Sequence, residues 1–267
     1  MGGICVEKLL CFDYDMTLLD HATGKIPEST LLAIKKLRSE WKIVIATGRD
    51  MEQPESAYGM KTVQPDAVVQ MNGAKVCAEG RALYEYFMPQ ELLQQIFIFG
   101  RKHDLCISCL LNNIYYTTKP QPLRDFVYTC VRQDEIHIRP AEEVFGQQVS
   151  AMALVGNVED AQLLEAEFPQ IRVPLFAKKH GADIIPRSLS KAEGMRRLLK
   201  HYGSNFSQVI FFGDSGNDLE LIEAAKLGIA MGNAIPPLKE AADYVTDAVD
   251  KNGIWNALIH FNLLQEE

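Results

Sequence analysis

Long apolar runs are missing from this chain: nothing in it approaches the ~18 consecutive apolar residues of a membrane span. The opening, MGGICVEKLL, lacks the basic-then-apolar layout of a secretory leader, and position 6 is Val6, where a myristoylation signal needs Ser or Thr. Positive charge is short. With 27 Lys and Arg against 35 Asp and Glu, the net charge is −8. That argues against a broad nucleic-acid or anionic-membrane surface, because phosphate polymers are held mainly by Lys and Arg. A small anionic ligand survives this exclusion, since a few local donors outweigh a global charge. Cysteine is limited to six residues. Without a leader they read as reduced thiols, so a cytoplasmic location is expected. Cys106 and Cys109 make one CxxC in a β-like run, with no second pair to complete a zinc site and no helix start to stabilise a thiolate. They read as buried, small apolar residues. The six histidines show no metal-like spacing and read as surface or satisfied core residues. Repeats and low-complexity segments are absent.

What is present is ordinary in bulk and patterned in detail. A length of 267 residues, 47% apolar and 23% charged, suits one large domain or two modest ones. The first third alternates strand and helix. KLLCF (8–12) reads as a buried strand, and 28–40 carries Leu31, Ile34 and Leu37 at helical spacing. KIVIATGRD and DAVVQMNGA are short apolar runs ending at Thr47-Gly48 and Asn72-Gly73. The last third resumes this style, with helices at 191–203, 218–228 (ending at Gly228) and 253–264, and strands at Val209 to Phe212, LGIAMGN and DYVT. Short apolar strands separated by helices argue for a Rossmann-like α/β parallel sheet covered on both faces.

The middle differs. Helices are expected at 89–103, 122–132 and 159–167. LCISCLL and IYYTT form a hairpin around Asn112-Asn113, and SAMALVG, RVPLFA and ADIIP add further strands. LLQQIFIF (92–99) reads as core of this block, and of Tyr115 and Tyr116 one must face away along its strand. The block is an α+β domain inserted into the first, giving a core of 1–82 and 183–267 around an inserted domain of 83–182.

Three apolar runs in the core end in chemically useful groups: Asp13 and Asp15, then Thr47-Gly48-Arg49, then Asp214 with Asn217 and Asp218. In open α/β sheets ligands bind outside the carboxyl ends of the strands, so neighbouring parallel strands would collect all three sets at one edge. Crowded carboxylates repel one another in a dry site, and a hard divalent cation answers that repulsion. Mg²⁺ is the natural choice where a phosphate completes its shell. Lys191, at a helix start, adds a fixed positive charge, and Thr47 with turn N–H groups can donate to phosphate oxygens. Such an edge suits phosphoryl transfer.

DYDMT (13–17), ATGR (46–49), Lys191 in SLSKAEG and GDSGND (213–218) together resemble the haloacid dehalogenase superfamily of aspartate-nucleophile phosphatases. MNGA (71–74) and AMGNAIPPLKEAADYVT (230–246) are similar to its Cof-type, subfamily IIB members, which carry a large cap between the second and third motifs. The resemblance covers roughly residues 6–82 and 183–260; in the inserted block it extends to position and element order. It implies Asp13 as nucleophile, Asp15 as general acid and base, and Mg²⁺ held by Asp13, the Asp15 carbonyl and Asp214, with Asp218 and Asn217 ordering its shell. Thr47 and Lys191 would hold the phosphoryl group, with Gly48, Arg49 and Asn217 in the same substrate-binding set. The partner implied is a small phosphorylated metabolite, a sugar phosphate foremost, and the protein a monomer or homodimer. One residue departs from the pattern: Met16 stands where the family usually has Gly. The same residues would serve a phosphomutase, which passes the phosphoryl group to a second hydroxyl, or a Mg²⁺- and phosphate-binding module without catalysis, for which the acid–base Asp15 has no use.

Overall fold

Apolar side chains alternate above and below one sheet in the structure, a computed structural model that describes residues 7–131, 135–176 and 180–265. Along strand β1 (Leu9–Phe12), Leu10 and Phe12 face one buried cluster while Leu9 and Cys11 face the other. Helix α1 (Glu28–Leu37), strand β2 (Lys42–Ala46), helix α2 (Ala57–Val63) and strand β3 (Ala67–Gln70) follow in turn. Strands β4 (Lys75–Ala78) and β5 (Arg81–Glu85) complete the first segment. A middle segment, Tyr86–Ser188, forms its own compact unit, and the chain from Leu189 onward rejoins the first.

The middle unit contains helix α3 (Gln90–Lys102), strands β6 (Cys106–Leu111) and β7 (Ile114–Thr117), helix α4 (Pro120–Phe126), strands β8 (His137–Pro140) and β9 (Met152–Val155), helix α5 (Val158–Glu167), and strands β10 (Ile171–Arg172) and β11 (Ala182–Pro186). Its sheet runs β10-β11-β9-β6-β7-β8, antiparallel throughout except at β7–β8. The β6–β7 turn has Asn112 at φ 52° and Asn113 at φ 61°, the left-handed pair that a two-residue hairpin requires. Tyr116 is buried and Tyr115 half-buried, as alternation demands. Leu93, Ile96, Phe97 and Phe99 of α3 enter this unit's core. Cys106 and Cys109 are buried and unpaired, and burial pushes both thiols up, Cys109 to about 12, so neither is a thiolate near neutral pH.

The returning chain adds helix α6 (Lys191–His201), strand β12 (Val209–Gly213), helix α7 (Leu219–Ala224), strand β13 (Leu227–Ala230), helix α8 (Pro236–Ala241), strand β14 (Tyr244–Val245) and helix α9 (Gly253–His260). The core sheet runs β14-β13-β12-β1-β2-β3-β4-β5, parallel from β14 to β3, with β4 and β5 antiparallel at the edge. Helices lie on both faces: α1 and α9 contribute to the cluster under Leu10 and Phe12, α6 and α7 to the one under Leu9 and Cys11. Register fixes the site. Phe12 pairs with Phe212 on one side and Ile45 on the other, so the residues that follow, Asp13, Gly213 and Ala46, emerge at one level.

Several expectations are corrected. ADIIP pairs with β9, so β11 belongs wholly to the middle unit, and the units divide after Glu85 and after Ser188. The helix read over 218–228 stops at Ala224, and Gly228 lies in β13, where a Cβ would sit 2.3 Å from the Ile222 carbonyl. The helix read over 122–132 is α-helical only to Phe126 and continues as a π-turn through Val131, Arg132 lying outside the described residues. Of RVPLFA only Arg172 sits in a named strand, β10, and Ala177 lies outside the described residues, as does the MGGICV opening. The β4–β5 hairpin escaped the sequence reading although its turn, Glu79-Gly80, has positive φ at both residues. Among the described residues no helix is long and apolar enough to cross a membrane.

Gly73 decides how closely α6 approaches β3. It adopts φ +87°, and a Cβ there would lie 2.2 Å from the Ser190 carbonyl; one on Gly194 would meet Val69 Cγ1 at 2.4 Å. Gly73→Ala adds left-handed strain to a backbone clash and should lower stability by roughly 2–4 kcal/mol, read as a fall in the urea midpoint. An unchanged midpoint would mean that this turn and the start of α6 are not in contact.

Candidate active site

Asp13 leaves β1 with its N–H donated to the Phe212 carbonyl at 2.8 Å, which places its side chain at the carboxyl edge of the sheet. The chain then folds back tightly. Tyr14 O accepts the N–H groups of Leu18 and Leu19, and Met16 N–H donates to Leu19 O at 2.8 Å. Met16 takes φ 59°, a left-handed conformation that costs a side-chain-bearing residue about 1 kcal/mol. Its carbonyl accepts Asn233 Nδ2 at 2.8 Å, and its side chain packs on the core. The backbone route that glycine would take is therefore kept by methionine.

Lys191 joins the two ends of the chain. Ser190 caps α6 by accepting the Glu193 N–H, which makes Lys191 the first helical residue. A cation at a helix N-terminus is unfavourable unless carboxylates meet it. Here Nζ donates to Asp13 Oδ1 at 2.6 Å and to Asp218 Oδ1 at 2.7 Å, all three side chains being buried. The other Asp218 oxygen accepts the N–H groups of Asp214 and Ser215, both at 3.0 Å, so Asp218 braces the turn after β12. Asp214 accepts a long contact, 3.5 Å, from Thr17 Oγ1.

The acids Asp13, Asp214 and Asp218 present oxygens within 4.8 Å of one another. Burial pushes Asp13 and Asp214 up, and neighbouring carboxylates add to it, while Lys191 opposes the shift in both. One ammonium is thus not enough positive charge for this cluster. Its all-oxygen composition fits a hard divalent ion such as Mg²⁺. Burial alone would lower the Lys191 pKa, but Asp13 and Asp218 hold it well above its ordinary value.

Thr47 and its neighbours are laced to β3. Thr47 N–H donates to Val69 O, Asn72 N–H to Thr47 O, and Met71 N–H to Arg49 O. Thr47 Oγ1 accepts the Arg49 N–H at 3.1 Å, leaving its hydroxyl proton for another acceptor. Asn217 Nδ2 donates to Asn72 Oδ1 at 2.8 Å, and Asn217 Oδ1 accepts from Ser215 Oγ, which ties the β3 and β12 turns together.

The sequence pattern of the haloacid dehalogenase-like hydrolases matches residues 10–258. The chain belongs to that family. The haloacid dehalogenase-like chain is 26% identical over 92% of its length to the 5-amino-6-(5-phospho-D-ribitylamino)uracil phosphatase YitU of Bacillus subtilis, covering 94% of that protein. It is 28% identical over 87% of its length to an HMP-PP phosphatase of Yersinia pseudotuberculosis, covering 86% of it. A solved structure described as the HAD subclass IIB sugar phosphatase BT4131 superposes with TM-score 0.87 at 27% identity, over 96% of this chain and all 100% of that one. The fold is that of subclass IIB, and the chain is a phosphatase-type enzyme of the Cof-type group.

In this haloacid dehalogenase-like site Asp15 is engaged elsewhere than Asp13. Arg49 grips it with two parallel bonds, Nε to Oδ2 and Nη2 to Oδ1, both 2.7 Å, and the guanidinium lies over the Tyr14 ring at 5.2 Å. His21 Nε2 reaches the same Oδ1 at 2.5 Å. Burial would raise the Asp15 pKa, but the hydrogen bonds from His21 and Arg49 win and pull it down to about 2. Arg49, which the sequence places in the substrate-binding set, holds Asp15 with its fork in this structure. Asn72 reads from the sequence as part of a strand-end turn, while His21, Tyr14 and Asn233 are not marked out individually, because each acts through a contact that no local motif announces.

Lys191→Met would leave Asp13 and Asp218 buried without their cation and should destabilise the metal-free protein by roughly 3–5 kcal/mol at about pH 8. The sign with pH follows from linkage. A carboxylate whose folded pKa is raised above its unfolded value carries the full penalty above the folded pKa; the penalty shrinks as pH falls below that value and is gone beneath the unfolded pKa of about 4. The difference between Lys191→Met and the unaltered protein should therefore shrink towards about pH 5 in urea titrations.

Proposed function

We propose that this enzyme is a Mg²⁺-dependent phosphatase of small phosphomonoesters, sugar phosphates foremost, working through an aspartyl-phosphate on Asp13. The observation that carries the reading is the buried Asp13 carboxylate at the strand edge, 2.6 Å from Lys191 and beside Asp214 and Asp218. Asp13 would attack phosphorus, and Lys191 would offset its charge so that a dianionic phosphate can approach. The free hydroxyl proton of Thr47 would bind a phosphoryl oxygen, with the Gly48 turn beside it.

The Asp13 and Asp214 carboxylates and the Asp15 carbonyl would hold Mg²⁺, with Asp218 and Asn217 bracing the surrounding turn. When bound, the ion would neutralise charge on the transferring group. Asp15 would protonate the leaving oxygen and then take a proton from the hydrolytic water. Its low pKa keeps it ionised, the form that can accept a proton in the second task. For the first, the arriving phosphate dianion acts as a like charge that raises it.

The substrate class is supported by the relatives, whose names specify small phosphorylated metabolites, and by the subclass IIB sugar phosphatase structure. The middle unit, Tyr86–Ser188, would serve as the cap that selects the leaving group.

Asp13→Asn should lower kcat by ~10³-fold or more with the far-UV circular dichroism of the parent retained. Chelation of divalent ions should likewise silence the unaltered protein, and added Mg²⁺ should restore it. Undiminished turnover by Asp13→Asn would reject the mechanism.

A further inference from the structure

The acid–base carboxylate has an asymmetric set of partners. An ionised carboxylate only accepts hydrogen bonds, two in the plane at each oxygen, so His21 Nε2 carries the hydrogen in its contact. Asp15 Oδ1 accepts twice, from Arg49 Nη2 at 2.7 Å and His21 Nε2 at 2.5 Å; Oδ2 accepts once, from Arg49 Nε at 2.7 Å. Among the described residues, the remaining acceptor position of this carboxylate is on Oδ2. Without His21 there would be one on each oxygen, and the proton could reside on either.

His21 is itself held in place, although its ring is 47% exposed. The preceding residue, Asp20, is buried, and its carboxylate accepts the Ala22 N–H at 2.8 Å and the Thr23 hydroxyl at 2.9 Å. Asp20 N–H donates to Lys25 O, Gly24 N–H donates to Asp20 O, and Leu19 bridges back to Asp15. These bonds close a loop that returns the chain onto Asp15 six residues later. A surface histidine on a free loop would share its time among many positions; this one is aimed by its neighbours.

We propose that His21 is a positioning residue for the acid–base step: it fills the second acceptor position of Asp15 Oδ1 and so confines proton transfer to Oδ2. The proposal rests on the phosphatase reading above. Orientation of this kind matters most when the leaving group needs its proton. p-Nitrophenolate leaves without help, whereas phenolate, a much stronger base, depends on the donor.

The test is steady-state hydrolysis of p-nitrophenyl phosphate and phenyl phosphate by the full-length protein with Mg²⁺, comparing the parent with His21→Ala, His21→Gln and Asp15→Asn. His21→Ala should lower kcat on phenyl phosphate about tenfold more than on p-nitrophenyl phosphate, with KM little changed. His21→Gln, whose amide can donate to the same oxygen, should recover part of the loss, and Asp15→Asn should mark its full extent. An equal loss on both esters, an effect confined to KM, or no loss would overturn the assignment of His21 alone. A parent inactive on both esters would overturn the phosphatase reading and this proposal with it.

Discussion

The contact between Lys191 and the two carboxylates of Asp13 and Asp218 governs the rest of this structure. Each of the three is removed from water, and an unpaired ion in that position costs several kcal/mol. The arrangement is tolerable only if all three arrive together with good geometry, and they come from three distant parts of the chain. β1 supplies Asp13, the start of α6 supplies Lys191, and the turn after β12 supplies Asp218. Parallel pairing of β1 with β12 aligns two of them, and the glycine contact between the β3 turn and α6 brings the third within reach. Similar apolar side chains would fold at least as stably, so a buried ion triad at a strand edge points to use and not to stability.

The same cluster explains the demand for a second cation. Burial, and then the excess of negative charge that three carboxylates leave beside one ammonium, is why Asp13 and Asp214 hold their protons more tightly than ordinary carboxyl groups. A divalent ion of the kind proposed would offset this without adding a side chain. On the proposed function, folding and catalysis would share one electrostatic problem, met in part by Lys191 and in part by a bound metal ion.

Asp13 and Asp15 stand two positions apart, and their environments push them in opposite directions. Asp13 is enclosed and raised; Asp15 lies nearer solvent, gripped by Arg49 and His21, and is lowered. Such divergence between neighbouring carboxylates is how one site obtains a nucleophile and a proton carrier from the same residue type. Only Tyr14 lies between them, and the chain folds back just after Asp15, with Met16 at positive φ.

Much of this was legible in the residues themselves. Apolar runs of four or five residues ending in Asp13, Thr47 and Asp214 specify buried parallel strands with polar termini, because alternation and chain direction are local properties. The same holds for the turn chemistry of Asn112-Asn113. Element ends were less legible: Gly228 reads as a helix stop in isolation, yet it is a strand residue because Ile222 leaves no room for a side chain there. The partner of each charge was not legible at all. Nothing near Arg49 in the chain tells it to hold Asp15, and nothing near His21 marks it as a third contact. Composition and spacing determine which chemical groups reach the sheet edge, since those follow from short-range periodicity. Which group each one touches depends on distances between segments far apart in the chain, and only the folded arrangement sets those.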